Sequence, residues 1–195
     1  MDELQDVDAE VVPRTAQEVA ERALAIIATI GKVHFPEPNA KWVADENISR
    51  FLTPTEAQFI GSAEPSDQER IDYSWKAEAL ASLIWSLHGL EHMPPFDEQF
   101  SPFDNDLVLC AIRNTETFLN DARIRTGEEV DAMEAFLYHQ HWRVRDHEFG
   151  FGMDIPGADD PDISELHPGI VYERRYGMSW VAGFGESWDD VPTDT

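Results

Sequence analysis

A chain of 195 residues that is 42% hydrophobic, with 6 Trp and 11 Phe, carries too much apolar surface to be disordered throughout. At this length one domain buries roughly 70% of its unfolded surface and needs no metal or disulfide staple. The 14 Lys and Arg stand against 39 Asp and Glu, a net charge of −25, which argues against nucleic acid and anionic membranes as partners.

The same charge attracts and steers a basic protein partner, or simply keeps the chain soluble. The one cysteine, Cys110, allows no disulfide within the chain and fits a reducing compartment. The run Met1-Asp2-Glu3-Leu4-Gln5-Asp6 has neither the basic nor the apolar region of a signal peptide. The longest apolar stretch, 23–30, is too short to span a bilayer. A cytoplasmic location is expected.

Four capping boxes announce helix starts: Thr15 with Glu18, Thr53 with Glu56, Ser66 with Glu69, and Thr126 with Glu129. The acidic segment 1–14 is expected to be flexible, and 15–195 to form one helical domain. The first helix is predicted over 16–30, with Val19, Ala23, Ile26, Ile27 and Ile30 at helical spacing and Gly31 as its stop. Short helices follow over 40–51, carrying Trp42, and 54–60, where Pro54 suits the first helical position.

The longest helix is predicted over 67–87, with Ile71, Trp75, Ala79, Leu83 and Leu87 on one stripe, ended by Gly89 and Pro94-Pro95. A helix is predicted over 105–122, and another over 127–146 with Val130, Met133, Phe136, Leu137 and Trp142 inward. After Phe149-Gly150-Phe151-Gly152 comes an acidic stretch over 154–165, and a loop of that length is functional or mobile. The last helix is predicted over 169–183, with Tyr172, Tyr176 and Trp180 four apart. Period-two patterns are scarce, so the fold class is all-α: a single-domain bundle of six or seven helices with a long acidic loop before the last. Trp75, Leu83, Phe136, Trp142 and Trp180 are expected in one core.

Three segments carry a resemblance. The first is Ser66-Asp67-Gln68 with Trp75-Lys76-Ala77-Glu78-Ala79-Leu80 and Ile84-Trp85-Ser86-Leu87. The second is His141-Trp142-Arg143-Val144-Arg145-Asp146. The third is Gly169-Ile170-Val171-Tyr172-Glu173-Arg174-Arg175-Tyr176, continuing through Ser179-Trp180 to Trp188-Asp189-Asp190-Val191. Together they resemble the bacterial family called domain of unknown function 4272, from about Thr15 to the last residue. The resemblance implies no activity, substrate or cofactor. The chain departs from that family's pattern where Ala135 and His139 stand at positions commonly held by an Asp and an Arg.

Catalytic motifs are weak. His88-Gly89-Leu90-Glu91-His92 has the form of an inverted zinc-peptidase motif, but Gly89 interrupts the helix that would have to align the two histidines. His139 and His141 point about 200° apart on a helix and cannot share a metal. The acidic stretch lacks the ligand order and central glycine of an EF-hand and reads as a flexible solvated loop. Cys110 shares an apolar stripe with Leu107 and Ala111, which predicts an inert thiol. No phosphate-binding glycine pattern occurs. Neither a metal nor a cofactor is implied.

Glu78 is the informative residue, because it lies on the inward stripe of its helix and needs a partner or a proton there. Arg174, Arg175 and Arg143 are its available cations. The bland alternative is a structural ion pair; the functional one is a pocket carboxylate lined by Trp75, Tyr172 and Tyr176. Trp188 is expected to anchor the tail, and Asp189 and Asp190 to meet Arg143, Arg145 or Arg174. Two functions follow. The first is a non-enzymatic acidic interaction module, immunity- or antitoxin-like in its most concrete form. The second is an enzyme or small-molecule binder with a carboxylate–Arg–Tyr cleft around Glu78.

Overall fold

The computed structural model describes residues 11–193. Among them are eight α-helices and no strand: α1 (Ala16–His34), α2 (Pro36–Asp45), α3 (Pro54–Gly61), α4 (Asp67–Ser86), α5 (Asp106–Arg113), α6 (Thr115–Asn120), α7 (Gly127–Phe149) and α8 (Pro168–Val181). Short 3₁₀ turns occur at Ile48–Phe51, Pro102–Asp104, Ile163–Glu165 and Trp188–Asp190. All four expected capping boxes form. In each, the hydroxyl accepts an orphan N–H while the glutamate takes another.

α1 is buried on nearly every side: from Val19 to Gly31 every side chain but Glu21 is buried, and all of these but Arg22 and Thr29 are apolar. A helix hydrophobic all round belongs at the centre. α2 to α6 and the first 3₁₀ turn surround it, and α4, α8 and α7 extend the layer in that order. α8 lies close on α4, where Ser82 Oγ donates to Arg174 O at 2.7 Å. A Cβ on Gly177 would stand 2.5 Å from the carbonyl oxygen of Ala79.

Several boundaries differ from expectation, which raises the helix count to eight. Gly31 does not stop α1, because the helix runs on to His34 with Gly31 against the Asn39 side chain. Pro36 begins α2 at its first turn, and Asn47, left-handed at φ 53, separates it from the 3₁₀ turn. The helix expected over 105–122 breaks at Asn114 (φ −143) into α5 and α6. α7, with 23 residues, is longer than α4 with 20.

Leu83 and Trp180 are buried as expected, whereas Trp75, Phe136 and Trp142 are partly exposed. Trp142 stacks on His139 instead of entering the core. Ile71 is half exposed because the buried run of α4 begins only at Glu78. Of the segment expected to be flexible, 11–14 is described: Arg14 N donates to Val181 O at 2.9 Å, and its guanidinium lies over Trp180. No helix among the described residues is long and apolar enough to cross a membrane.

Candidate functional site

Glu78 is 2% exposed and Arg174 is fully buried. Arg174 Nε donates to Glu78 Oε2 at 2.9 Å, and Phe100 N donates to Glu78 Oε1 at 2.8 Å. The other guanidinium donors go to backbone oxygens of Pro94, Pro95 and Glu98. This pair therefore pins the irregular segment after α4 onto α8. Burial lowers the Arg174 pKa and the Glu78 charge opposes that shift.

The expected carboxylate–Arg–Tyr cleft does not form. Arg174 sits two residues from both Tyr172 and Tyr176, so the tyrosines share the opposite side of α8. Glu78 and Trp75 line a cavity of about 400 Å³ that neither tyrosine touches. Tyr172 joins Trp75 and His141 at a second hollow. Tyr176 joins Tyr73, Lys76, Trp188 and Asp189 at another, and burial, then Asp189, raise its pKa.

Arg175 turns to α7, where its Nη1 lies 2.6 Å from His141 Nδ1 and also donates to Thr193 O. Burial, then the charge of Arg175, pushes His141 down to about 4, so the ring is neutral at pH 7. Lys76 meets both carboxylate oxygens of Glu173, at 2.9 and 3.0 Å. Burial raises the Glu173 pKa while Lys76 opposes it. No periodicity in the sequence marks this pair, although Lys76 and Glu173 lie beside Glu78 and Arg174 in the chain.

The tail is held as Trp188 implied. Trp188 is buried, meets Tyr176 and Trp180 edge to face, has Arg22 over its ring, and gives its carbonyl oxygen to the Tyr176 hydroxyl. Asp189 and Asp190 do not meet the expected arginines, because both are exposed on the solvent side of the last 3₁₀ turn and Asp190 accepts from Ser187 Oγ at 2.6 Å. Arg143 and Arg174 are engaged elsewhere, and Arg145 lies over Phe149.

His88 has φ 62 just past the end of α4, so the H-x-x-E-H sequence is a turn and not a helix face. Among the described residues no group of three His, Cys, Asp or Glu could hold a metal. Cys110 is only partly buried, because α5 turns Val108 and Ala111 inward instead.

The acidic stretch is largely solvated, as expected, but hydrogen bonds at two of its acids hold it to α7. Arg143 Nε donates to Asp154 Oδ2 at 2.9 Å, and its Nη1 to Pro161 O at 2.9 Å. Asp146 accepts from the backbone of Met153 and Asp154. Asp160 accepts from Gln140 at 2.7 Å and Gly157 N at 2.8 Å, and lies 3.0 Å from His139 Nε2. Burial raises the Asp160 pKa, but these hydrogen bonds outweigh it and hold the carboxyl low. Asp154 and Asp160 tie the stretch to α7, which composition alone cannot reveal.

On that tether sits an apolar strip. Phe149, Phe151, Met153 and Ile155 are 57%, 64%, 60% and 86% exposed. They alternate with Gly150 and Gly152, both left-handed at φ 67, and with the anchored Asp154. Phe149 and Phe151 stack at 5.5 Å. Their order, F-G-F-G-M-D-I, was visible in the sequence; what was hidden was that Asp154 is anchored inward while the four apolar side chains face outward.

No curated protein and no solved structure matches the chain. A family described as "Domain of unknown function (DUF4272)" matches residues 4–191. That match spans nearly the whole chain, from before α1 to the buried Val191 at the end of the Trp-Asp-Asp-Val segment, and the chain belongs to this family.

Proposed function

We propose that this protein is a non-enzymatic interaction module that binds a basic protein through the apolar strip 149–155. One observation carries this reading: four consecutive alternate residues expose apolar side chains from a segment that ion pairs and backbone hydrogen bonds hold in place. Single exposed apolar residues are ordinary, whereas a contiguous exposed set marks an interaction site. A pre-ordered strip avoids part of the ordering cost of association.

Charge selects the occupant. Residues 146–165 contain seven Asp and Glu and no Lys or Arg. The net charge of −25 speeds encounter with a cationic surface and repels acidic ones. An immunity- or antitoxin-like role in the cytoplasm, masking a basic toxin, is the most concrete form of this reading. The pairing of Glu78 with Arg174 supports it over a cleft chemistry at that pair, since their polar atoms are already taken up by each other and by the anchor of 94–100.

The test compares the full-length protein with the Phe151→Ser/Ile155→Ser variant. Both side chains are mostly in solvent, so the variant is expected to melt within about 1 °C of the parent, as surface changes do. A basic protein that co-purifies with the parent should be purified and titrated back. The expected result is stoichiometric binding that weakens with salt and is lost in the variant. Binding unchanged by the variant, or a concentration-dependent dimer of the chain abolished by it, overturns the reading.

A further inference from the structure

We propose that the cavity between the α1–α2 junction, α4 and the segment 99–104 is a binding site for a small organic cation of the alkylammonium class. Its volume, about 400 Å³, lies within the range of small-ligand sites. Aromatic rings reach it from three separate parts of the chain: His34 and Phe35 at the junction of α1 and α2, Trp75 on α4, and Phe100 and Phe103 on the connecting segment. Phe103 stands edge-on to Phe35 at 5.1 Å and 83°, and to His34 at 6.2 Å and 79°. These rings pack edge to face on one another and, with Trp75 and Phe100, give the cavity an aromatic wall, the kind of surface that attracts an ammonium group.

The charges agree with the rings. Glu78 and Asp104 line the cavity, and no Lys or Arg does. Arg174 meets Glu78 through both Nε and Nη2 at 2.9 Å, so that carboxylate is already compensated and the attraction for a cation comes from Asp104. Asp104 is exposed at the rim, where it draws a cation in. An anionic ligand would meet the Asp104 carboxylate and no Lys or Arg on the walls.

The walls are built, not incidental. Trp75 stacks on His167 at 5.4 Å. A Cβ on Gly169 would come within 3.1 Å of the indole, so the start of α8 leaves room for that ring and little more. Glu78 fixes Phe100 through its backbone N–H. Phe35 is 50% exposed, which leaves one ring at the mouth able to receive or release a guest.

Calorimetric titration of the full-length protein with choline, and in parallel with its uncharged isostere 3,3-dimethyl-1-butanol, separates cation recognition from apolar filling. Choline is expected to bind and the alcohol to bind at least about tenfold more weakly. Phe35→Leu keeps the apolar bulk and removes the ring; Asp104→Asn keeps the shape and removes the charge. Each should weaken choline by about three- to tenfold, the range of one cation–π or rim-charge contribution. Both sites are partly or fully exposed, so an unchanged melting temperature shows that the variants fold. Equal binding of choline and the alcohol overturns the proposal. So does unchanged choline affinity in both variants, or no heat from choline or tetramethylammonium up to about 10 mM.

Discussion

His141 illustrates how a buried neutral histidine ties stability to pH. Its Nδ1 accepts from Arg175, and burial beside that cation brings it from the ordinary 6.5 to about 4. The native state therefore excludes a proton that the unfolded chain takes up below about pH 6.5. Stability from this residue is complete above that pH and is lost as the pH falls toward 4, the unfolded state binding more protons throughout the window. Between pH 7 and pH 5 the loss is about 2 kcal/mol. Urea unfolding at the two pH values should show it, and His141→Asn, which keeps an acceptor near Nδ1 but cannot take a proton, should remove most of the difference. An identical pH dependence in the variant would place the effect elsewhere. Glu78 was readable from its place on an apolar helical stripe, and one of the few arginines had to answer it. Which arginine did so depended on α8 turning Arg174, and not its neighbour Arg175, toward α4, a matter of helix rotation that one sequence leaves open.

At the scale of elements, caps and patterns were legible and interruptions were not. The four hydroxyl–glutamate boxes mark true starts because both halves of each signal lie within one turn. A fifth, Asp162 with Glu165, opens a 3₁₀ turn and escaped because an aspartate fills the capping place. Asn114 breaks the helix expected over 105–122 because tertiary demand overrides a weak propensity: α6 must swing to bury Thr115 and Phe118 against α1. Gly31 has the opposite history. A residue that usually ends a helix continues one, because a glycine there admits Asn39, whose Nδ2 donates to Ala28 O at 2.9 Å. The apolar strip stayed hidden for a related reason, since its outward aim is set by Asp146 and Arg143 reaching across from α7. Packing of α8 on α4 supplies the test at this scale. Gly177→Ala would place a methyl group against backbone, not against a side chain that can move. The expected cost is about 1–3 kcal/mol or somewhat more, read as a lower urea midpoint at unchanged slope. A variant as stable as the parent would show that the two helices can separate freely at this crossing.

For the whole molecule, the placement of the charges matters as much as their number. Among the described residues the interior holds four arginines, Arg22, Arg143, Arg174 and Arg175, and four carboxylates, Glu56, Glu78, Asp146 and Glu173. These cancel, so the net −25 is carried by the rest of the chain. The scarce cations hold the interior together, while most carboxylates are left facing each other across water. Mutual repulsion of this kind destabilises the compact state and is screened within about 8–10 Å at ordinary ionic strength. The buried pairs, shielded from solvent, are screened far less. Added salt should therefore stabilise this protein, the reverse of its effect on a fold held by surface ion pairs. Raising sodium chloride from about 20 mM to about 500 mM should increase the melting temperature by several degrees, since each kcal/mol is worth about 2–4 °C in a domain of this size. Sodium chloride is the right choice because sulfate would add a preferential-exclusion effect of its own. A melting temperature that falls with salt would mean that attractive surface pairs outweigh the repulsion, and that the acidic exterior is not the strained, cation-seeking surface on which recognition of a basic partner depends.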